Sequence, residues 1–99
     1  MTEDVRPRVK SALRTQEQPP WSEELHELMT DGCARMLTLE TERLRLGRRI
    51  SELAADAHDP SVGVELRRLW ARRRSIAWEL GELRGLLRRL GASRHGALA

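Results

Sequence analysis

Two tryptophans stand among a cluster of arginines in the stretch ELRRLWARRRSIAWEL, residues 65–80. Tryptophan and arginine often dominate the binding energy of protein interfaces, because each combines a large contact area with a polar or charged group. The candidate partner-binding residues of this stretch are Trp70, Arg73, Arg74, Ala77 and Trp78. Their chemistry favours recognition of a partner over any bond-making or bond-breaking step.

The elements that position these residues are indicated by the spacing of apolar side chains. Apolar residues recur at alternating steps of three and four along residues 22–58 and again along residues 60–90. This heptad rhythm is typical of helices that pack side by side. If the chain turns back at Asp59–Pro60, seam residues pair with numbers that add to 119, as for Leu53 and Leu66. The sequence therefore predicts an all-α protein, an antiparallel two-helix coiled-coil hairpin.

The ends of the predicted helices carry capping signals. Ser22 is a predicted N-cap for the first helix, and Asp59 is a predicted N-cap for the second, with Pro60 in its first position. Gly91 is a predicted stop for the second helix.

The remaining segments lack a sustained apolar period. We expect residues 1–21 to form a flexible N-terminal arm, with at most a short helix around Val9–Arg14, and residues 91–99 to form a disordered tail. Gly32 weakens the first helix and leaves a gap opposite Leu87, so a kink near this glycine is an alternative to a continuous helix.

Two arginines, Arg43 and Arg73, occupy seam positions where the heptad pattern asks for an apolar residue. One interpretation is a polar layer that fixes the register of the helices, with Glu42 in reach of Arg73. The other interpretation is a site for an anionic ligand or partner.

Several apolar side chains fall outside the predicted seam. They include Leu37 and Leu44 on the first helix and Trp70, Trp78 and Leu86 on the second. Exposed apolar area of this extent usually marks an interface. A second copy of the chain would complete a four-helix bundle, and a different protein is the alternative partner. Leu37 and Leu44 therefore join the candidate partner-binding residues.

The charge of the two predicted helices is opposite. Residues 22–58 carry five arginines against eight acidic residues, whereas residues 61–90 carry eight arginines against three glutamates. Opposite charges favour pairing of the two helices, and the net charge of +3 is mild for a dedicated nucleic-acid binder. Direct nucleic-acid binding by the arginine-rich second helix stays open as the alternative function.

The segment LTLETERLRLGRRISELAAD, residues 37–56, resembles the ligand-binding helix of the cyclic-di-GMP-responsive anti-sigma factors of actinobacteria. The motif of that family is Glu, Ser, Arg, Gln and Asp at successive offsets of four, three, four and four. Arg48, Glu52 and Asp56 occupy its last three places, with Glu in place of Gln. Thr41 and Arg45 occupy the first two places and depart from the motif.

The resemblance implies a helical hairpin that binds a sigma factor, with cyclic-di-GMP as a ligand of Arg48, Glu52 and Asp56. A second likeness, to coiled-coil factors that enter the RNA polymerase channel, rests on the acidic tip at Asp56 and Asp59. Both imply a regulator of transcription.

Other classes of function find little support in the sequence. We see no enzyme signature, no apolar run long enough for a membrane span, and a single cysteine, Cys33, which cannot form an internal disulfide. The sequence thus predicts a non-catalytic cytoplasmic interaction module, a regulator or adaptor that dimerises or binds another protein.

Overall fold

Three helices make up the part of the chain that the computed structural model describes, residues 4–15 and 22–98. They are α1 (Arg6–Thr15), α2 (Glu23–Ala54) and α3 (Pro60–Leu98). These described residues contain no strand, so the all-α prediction is confirmed. The packing of the helices into a hairpin or a four-helix bundle remains a prediction.

The predicted caps of the two long helices are confirmed. The backbone N–H of Leu25 donates a hydrogen bond to Ser22 Oγ at 3.2 Å, at the start of α2. Asp59 Oδ1 accepts hydrogen bonds from the backbone N–H of Ser61 at 2.9 Å and from its hydroxyl at 2.8 Å. These bonds lower the pKa of the Asp59 carboxyl, the side-chain bond from Ser61 having the largest effect. They fix the point at which α3 begins, because they satisfy a donor that the first turn of a helix leaves unpaired.

Helix α2 is shorter at its C-terminal end than predicted, and it has no break at Gly32. It ends at Ala54, and residues 55–58 form a turn in which the backbone N–H of Asp56 donates to Leu53 O. A Cβ on Gly32 would lie 2.6 Å from Leu87 Cδ2. Leu87 therefore fills the space that we expected to be a gap. The close approach gives the glycine a packing role, and the helix runs through it.

The structure describes helices in part of the predicted flexible arm and of the predicted disordered tail, whereas residues 1–3, 16–21 and 99 of these segments lie outside the described residues. Residues 6–15 form α1, and α3 continues past Gly91 to Leu98. No described residue has positive φ, so Gly91 does not act as a left-handed helix cap. A Cβ on Gly91 would make ordinary contact with Met29 Cε at 3.7 Å, so this glycine packs within a continuing helix.

The chain divides into two compact units. Unit 1 comprises Met1–Leu37 and Gly81–Ala99, and unit 2 comprises Thr38–Leu80. Unit 1 thus contains α1, the first part of α2 and the last part of α3. Its buried apolar residues come from all three helices: Val5 just before α1, Val9, Leu28, Leu83, Leu86, Leu87 and Leu90.

Helix α1 is held in unit 1 by both apolar packing and charge. Val9 is fully buried. Lys10 Nζ lies 2.8 Å from Glu82 Oε1, and Arg8 Nη1 lies 3.2 Å from Asp31 Oδ2. Because Glu82 and Leu86 are one helical turn apart, the face of α3 that meets Lys10 also carries buried Leu86. Leu86, which lies outside the predicted seam, is therefore buried on the side of α3 that meets α1.

Unit 2 contains the second part of α2, the connecting turn and the first part of α3. Its buried residues are Leu39, Ile50, Leu53, Ile76 and Leu80, all at predicted seam positions. The heptad pattern therefore identifies the apolar core of this unit.

Candidate functional site

Two ion pairs join α2 to α3 along one side of the seam of unit 2. Arg72 Nη2 lies 2.8 Å from Glu42 Oε1, and Arg49 Nη2 lies 3.5 Å from Glu65 Oε1. In both pairs the residue numbers add to 114. The residue that comes later in α2 therefore pairs with the residue that comes earlier in α3. We call these four residues the ion-pair flank.

The opposite side of the seam in unit 2 is built differently. Heptad geometry places Glu40, Gly47 and Ala54 of α2 and Gly63, Trp70 and Ala77 of α3 on this side. A Cβ on Gly47 or Gly63 would meet nothing within 4 Å. This second flank therefore carries small residues, one tryptophan and one carboxylate, Glu40, and it is open at its two glycines.

One face of α3 combines the tryptophans with arginines. Arg67, Trp70, Arg74 and Trp78 follow one another at steps of three, four and four, which places them on a common stripe together with Ala77. We call these five residues the Trp–Arg face. Residues 67–78 contain no acidic side chain, so the stripe is apolar and positive.

The side chains of the Trp–Arg face point largely into solvent. Trp70 is 47% exposed and Trp78 is 73% exposed, and Arg67, Arg74 and Ala77 are exposed as well. Within the part of the chain that the structure describes, Arg67 and Arg74 make no ion pair with an acidic side chain. This face is accessible to a partner.

Arg73 is half-buried at its seam position, and its guanidinium lies over the ring of Trp70. The carboxylate that we expected to pair with it, Glu42, instead accepts a hydrogen bond from Arg72 Nε at 2.9 Å. Arg73 therefore supports the ring of Trp70, and Arg43, the other arginine in the seam, is exposed.

Leu37 and Leu44, the candidates on α2, are 65% and 63% exposed. Leu44 belongs to unit 2 and stands on the same side of the seam as Gly47. Leu37 belongs to unit 1. Only Leu44 can therefore be assigned to the unit that carries the Trp–Arg face.

The three candidate nucleotide ligands do not share one helix face. Arg48 and Glu52 are exposed on α2, four residues apart. Asp56 lies past the end of α2, in the turn at residues 55–58, so it is not part of the helix face that carries Arg48 and Glu52. Glu52 lies 3.4 Å from Arg49, so its carboxylate is already engaged in an ion pair on the helix surface.

Two residues of the surface were not singled out from the sequence. Arg67 lies on the same stripe as Trp70, Arg74 and Trp78. The steps of three, four and four between these residues could have indicated this from the sequence. Val64, three residues before Arg67 on α3, is 46% exposed. A helical wheel centred on Trp70 would have identified Arg67. The exposure of Val64 could be seen only from how the helices pack.

Neither an intrinsic metal site nor a membrane span emerges from the described residues. They contain no group of three or more His, Cys, Asp or Glu arranged to hold a metal ion. They also contain no helix with the length and apolar character needed to cross a bilayer. Cys33 is exposed and unpaired with another cysteine.

Comparison with protein-family models, with curated proteins and with solved structures gives no match to this chain. The resemblance of residues 37–56 to the cyclic-di-GMP-responsive anti-sigma factors therefore stays a prediction.

Proposed function

We propose that the protein is a non-catalytic helical interaction module, a small cytoplasmic regulator or adaptor that binds another polypeptide through unit 2. The observation that carries this proposal is the exposure of Trp70 and Trp78 on one stripe of α3. Leaving two indole rings in water is costly, since each can remove a large apolar area from solvent on binding.

An antiparallel hairpin of α2 and α3 is the architecture we propose for presenting this surface. It is supported by the two ion pairs with a constant residue sum and by the contact of Gly32 with Leu87, whose numbers add to 119. Helices in such a hairpin are rigid supports, so the backbone that carries a binding face loses little entropy when a partner docks.

The experiment that tests the proposal is site-specific photo-crosslinking in cells of the source organism. A benzophenone amino acid at position 78 is expected to form a covalent adduct with another polypeptide, which mass spectrometry identifies. The same amino acid at Arg88, an exposed position of α3 in unit 1, is the control. Adducts with nucleic acid alone, or equal adducts from both positions, would contradict the proposal.

Regulation of transcription through a sigma factor is the specific version of this proposal. It rests on the resemblance of residues 37–56, in which Arg48 and Glu52 stand on an exposed helix face. Titration with cyclic-di-GMP followed by amide chemical shifts is expected to perturb residues around Arg48, and Arg48→Ala is expected to abolish the change. Unchanged spectra at high ligand concentration would remove the nucleotide from the proposal without affecting the interaction module.

Direct binding of nucleic acid is the second candidate function, favoured by the exposed Arg67, Arg68 and Arg74. Aromatic rings beside arginines also suit stacking on single-stranded bases. The acidic residues of the ion-pair flank lie on the same unit, and they dilute the positive field that non-specific phosphate binding requires.

A further inference from the structure

The Trp–Arg face has a chemical character that narrows the class of partner. This inference rests on the proposed function, since it concerns what the interaction module binds. We propose that the Trp–Arg face binds an amphipathic helix with acidic residues along its apolar stripe.

The spacing of the face fits a helix laid along α3. Trp70 and Trp78 are eight residues apart, which corresponds to about 12 Å along the helix axis. Arg74 lies midway between them, one turn from each ring. A partner helix whose apolar residues recur at steps of three and four can contact both rings, as in other complexes where a helix occupies a groove.

The positive charge of the face favours a partner with negative charge. Arg67 and Arg74 are exposed, and neither has an acidic ion-pair partner among the described residues. Arg73 is committed to the ring of Trp70 and Arg72 to Glu42. Arg67 and Arg74 are therefore available to a partner, as is the exposed Arg68 beside the face, and carboxylates beside an apolar stripe would pair with them.

A second copy of this chain fits the face poorly. In a two-fold interface residue i contacts residue j and j contacts i, and only a residue at the axis meets its own counterpart. If two copies bury both tryptophans against each other, the axis passes through the centre of the stripe and brings Arg74 against its counterpart, and like charges at an interface oppose association. The homodimer considered from the sequence is thus disfavoured through this face.

A single-stranded nucleic acid also fits less well than a helix. The residues around the face are the exposed aliphatic side chains of Leu44 and Val64, the open position of Gly47 and the carboxylate of Glu40. Such a surface accepts apolar side chains, whereas nucleic-acid sites pair stacking rings with a continuous track of positive charge.

The test uses the full chain and two designed peptides of about 18 residues, long enough for five helical turns. Both carry leucine at steps of three and four. One has glutamate and the other lysine in the flanking positions. Fluorescence anisotropy of labelled peptide is expected to show binding of the glutamate peptide at least about tenfold tighter than of the lysine peptide.

Matched variants locate the binding. Trp70→Ala with Trp78→Ala is expected to weaken binding of the glutamate peptide by at least about tenfold, the effect of losing an interface hot spot. Arg67→Glu with Arg74→Glu is expected to abolish preference for the glutamate peptide. Arg88→Glu with Arg89→Glu makes the same charge change at exposed positions of unit 1 and is expected to leave binding unchanged. Circular dichroism confirms that each variant is helical.

Several results would overturn the inference. They are equal binding of the lysine peptide, no binding of either peptide, equal loss in the two charge variants, and displacement of the glutamate peptide by a single-stranded oligonucleotide. A homodimer in sedimentation that Trp78→Ala dissolves would assign the face to a second copy. In crosslinking from position 78, an adduct with a non-acidic segment of a protein would contradict this inference but would still support the proposed function.

Discussion

The guanidinium of Arg73 lies over the indole ring of Trp70, with its Cζ 5.3 Å from the ring centroid. This distance is within the range of a cation–π interaction. Arg73 occupies a seam position, yet it reaches the edge of the seam and packs on an aromatic ring there, as long side chains with apolar stems do. The contact links the seam of unit 2 to the Trp–Arg face.

Replacing this arginine should separate its two effects. We expect Arg73→Leu to raise the free energy of unfolding by about 1 kcal/mol, because a leucine extends the apolar seam and this gain exceeds an exposed cation–π contact. Chemical denaturation measures the change. Arg74→Leu, on the exposed face, is the control and should leave stability nearly unchanged. A lower stability for Arg73→Leu would mean that its stacking on Trp70 outweighs seam burial.

Gly32 is expected to be a position at which alanine destabilises a helix. Alanine usually favours a helix over glycine by about 1 kcal/mol. At Gly32 the added Cβ would lie 2.6 Å from Leu87 Cδ2 and 3.2 Å from Leu87 Cγ, and Leu87 is buried. The leucine must therefore move within a packed core, and we expect a net loss of about 1–2 kcal/mol in unfolding free energy.

Gly47 provides the matched control for this substitution. It lies in the same helix, and a Cβ there would meet nothing within 4 Å. Gly47→Ala should therefore stabilise the protein by about 0.5–1 kcal/mol through helix propensity alone. Combining Gly32→Ala with Leu87→Val should recover part of the loss, as a double-mutant cycle would show. Additive effects would exclude the contact as the cause.

Val9 is expected to anchor α1 to unit 1. Its side chain is fully buried, so Val9→Ala should cost about 2 kcal/mol of unfolding free energy. Val9→Asp should release the helix, since an unpaired charge cannot remain buried there. Hydrogen exchange is expected to become fast over residues 6–15 and to change little in unit 2. Arg14→Ala, at an exposed position of α1, should leave exchange unchanged.

The seam and the caps could be predicted because both depend on local periodicity. Leu39, Ile76 and Leu80 are buried where the heptad places them, and Ser22 and Asp59 accept the capping hydrogen bonds. Such signals need only the neighbouring residues of the same helix.

The sequence allowed at most a short helix around Val9–Arg14 within a flexible arm, because the stability of α1 comes from distant partners. The segment has two buried valines, Val5 and Val9, and its charges pair with Asp31 and Glu82 far along the chain. An isolated helix of this length is marginal in water, so packing decides whether it forms.

The orientation of Arg73 and the position of Asp56 were also out of reach. Several arginines compete for Glu42, and their spacing alone does not decide that Arg72 takes it. The end of α2 at Ala54 separates Asp56 from the helix face of Arg48, although the offset of eight residues suits a continuous helix. The tryptophans of the candidate interaction surface could be predicted from the sequence. The ion-pair flank and the open flank beside them could be recognised only from the fold.

The contact of Lys10 with Glu82 should make the docking of α1 sensitive to acid. The hydrogen bond from the Lys10 ammonium is the main cause that lowers the pKa of the Glu82 carboxyl below its ordinary value of 4.5. A carboxyl whose pKa is lower when folded binds fewer protons in the folded state, so its contribution to stability is complete above the ordinary pKa. That contribution is lost as pH falls below 4.5 and through the lower folded pKa.

Lys10→Met tests this link, because it keeps most of the side-chain volume and removes the charge and the donor. We expect an NMR titration of the Glu82 carboxyl to show its pKa raised toward the ordinary value. We also expect hydrogen exchange in α1 to depend less on pH in the acid range than it does in the unmodified protein. Arg14→Met removes a cation from α1 that is not a partner of Glu82, so it should leave both measurements unchanged. An unaltered Glu82 titration in Lys10→Met would show that Arg6, 3.7 Å from the same oxygen, sets this pKa instead.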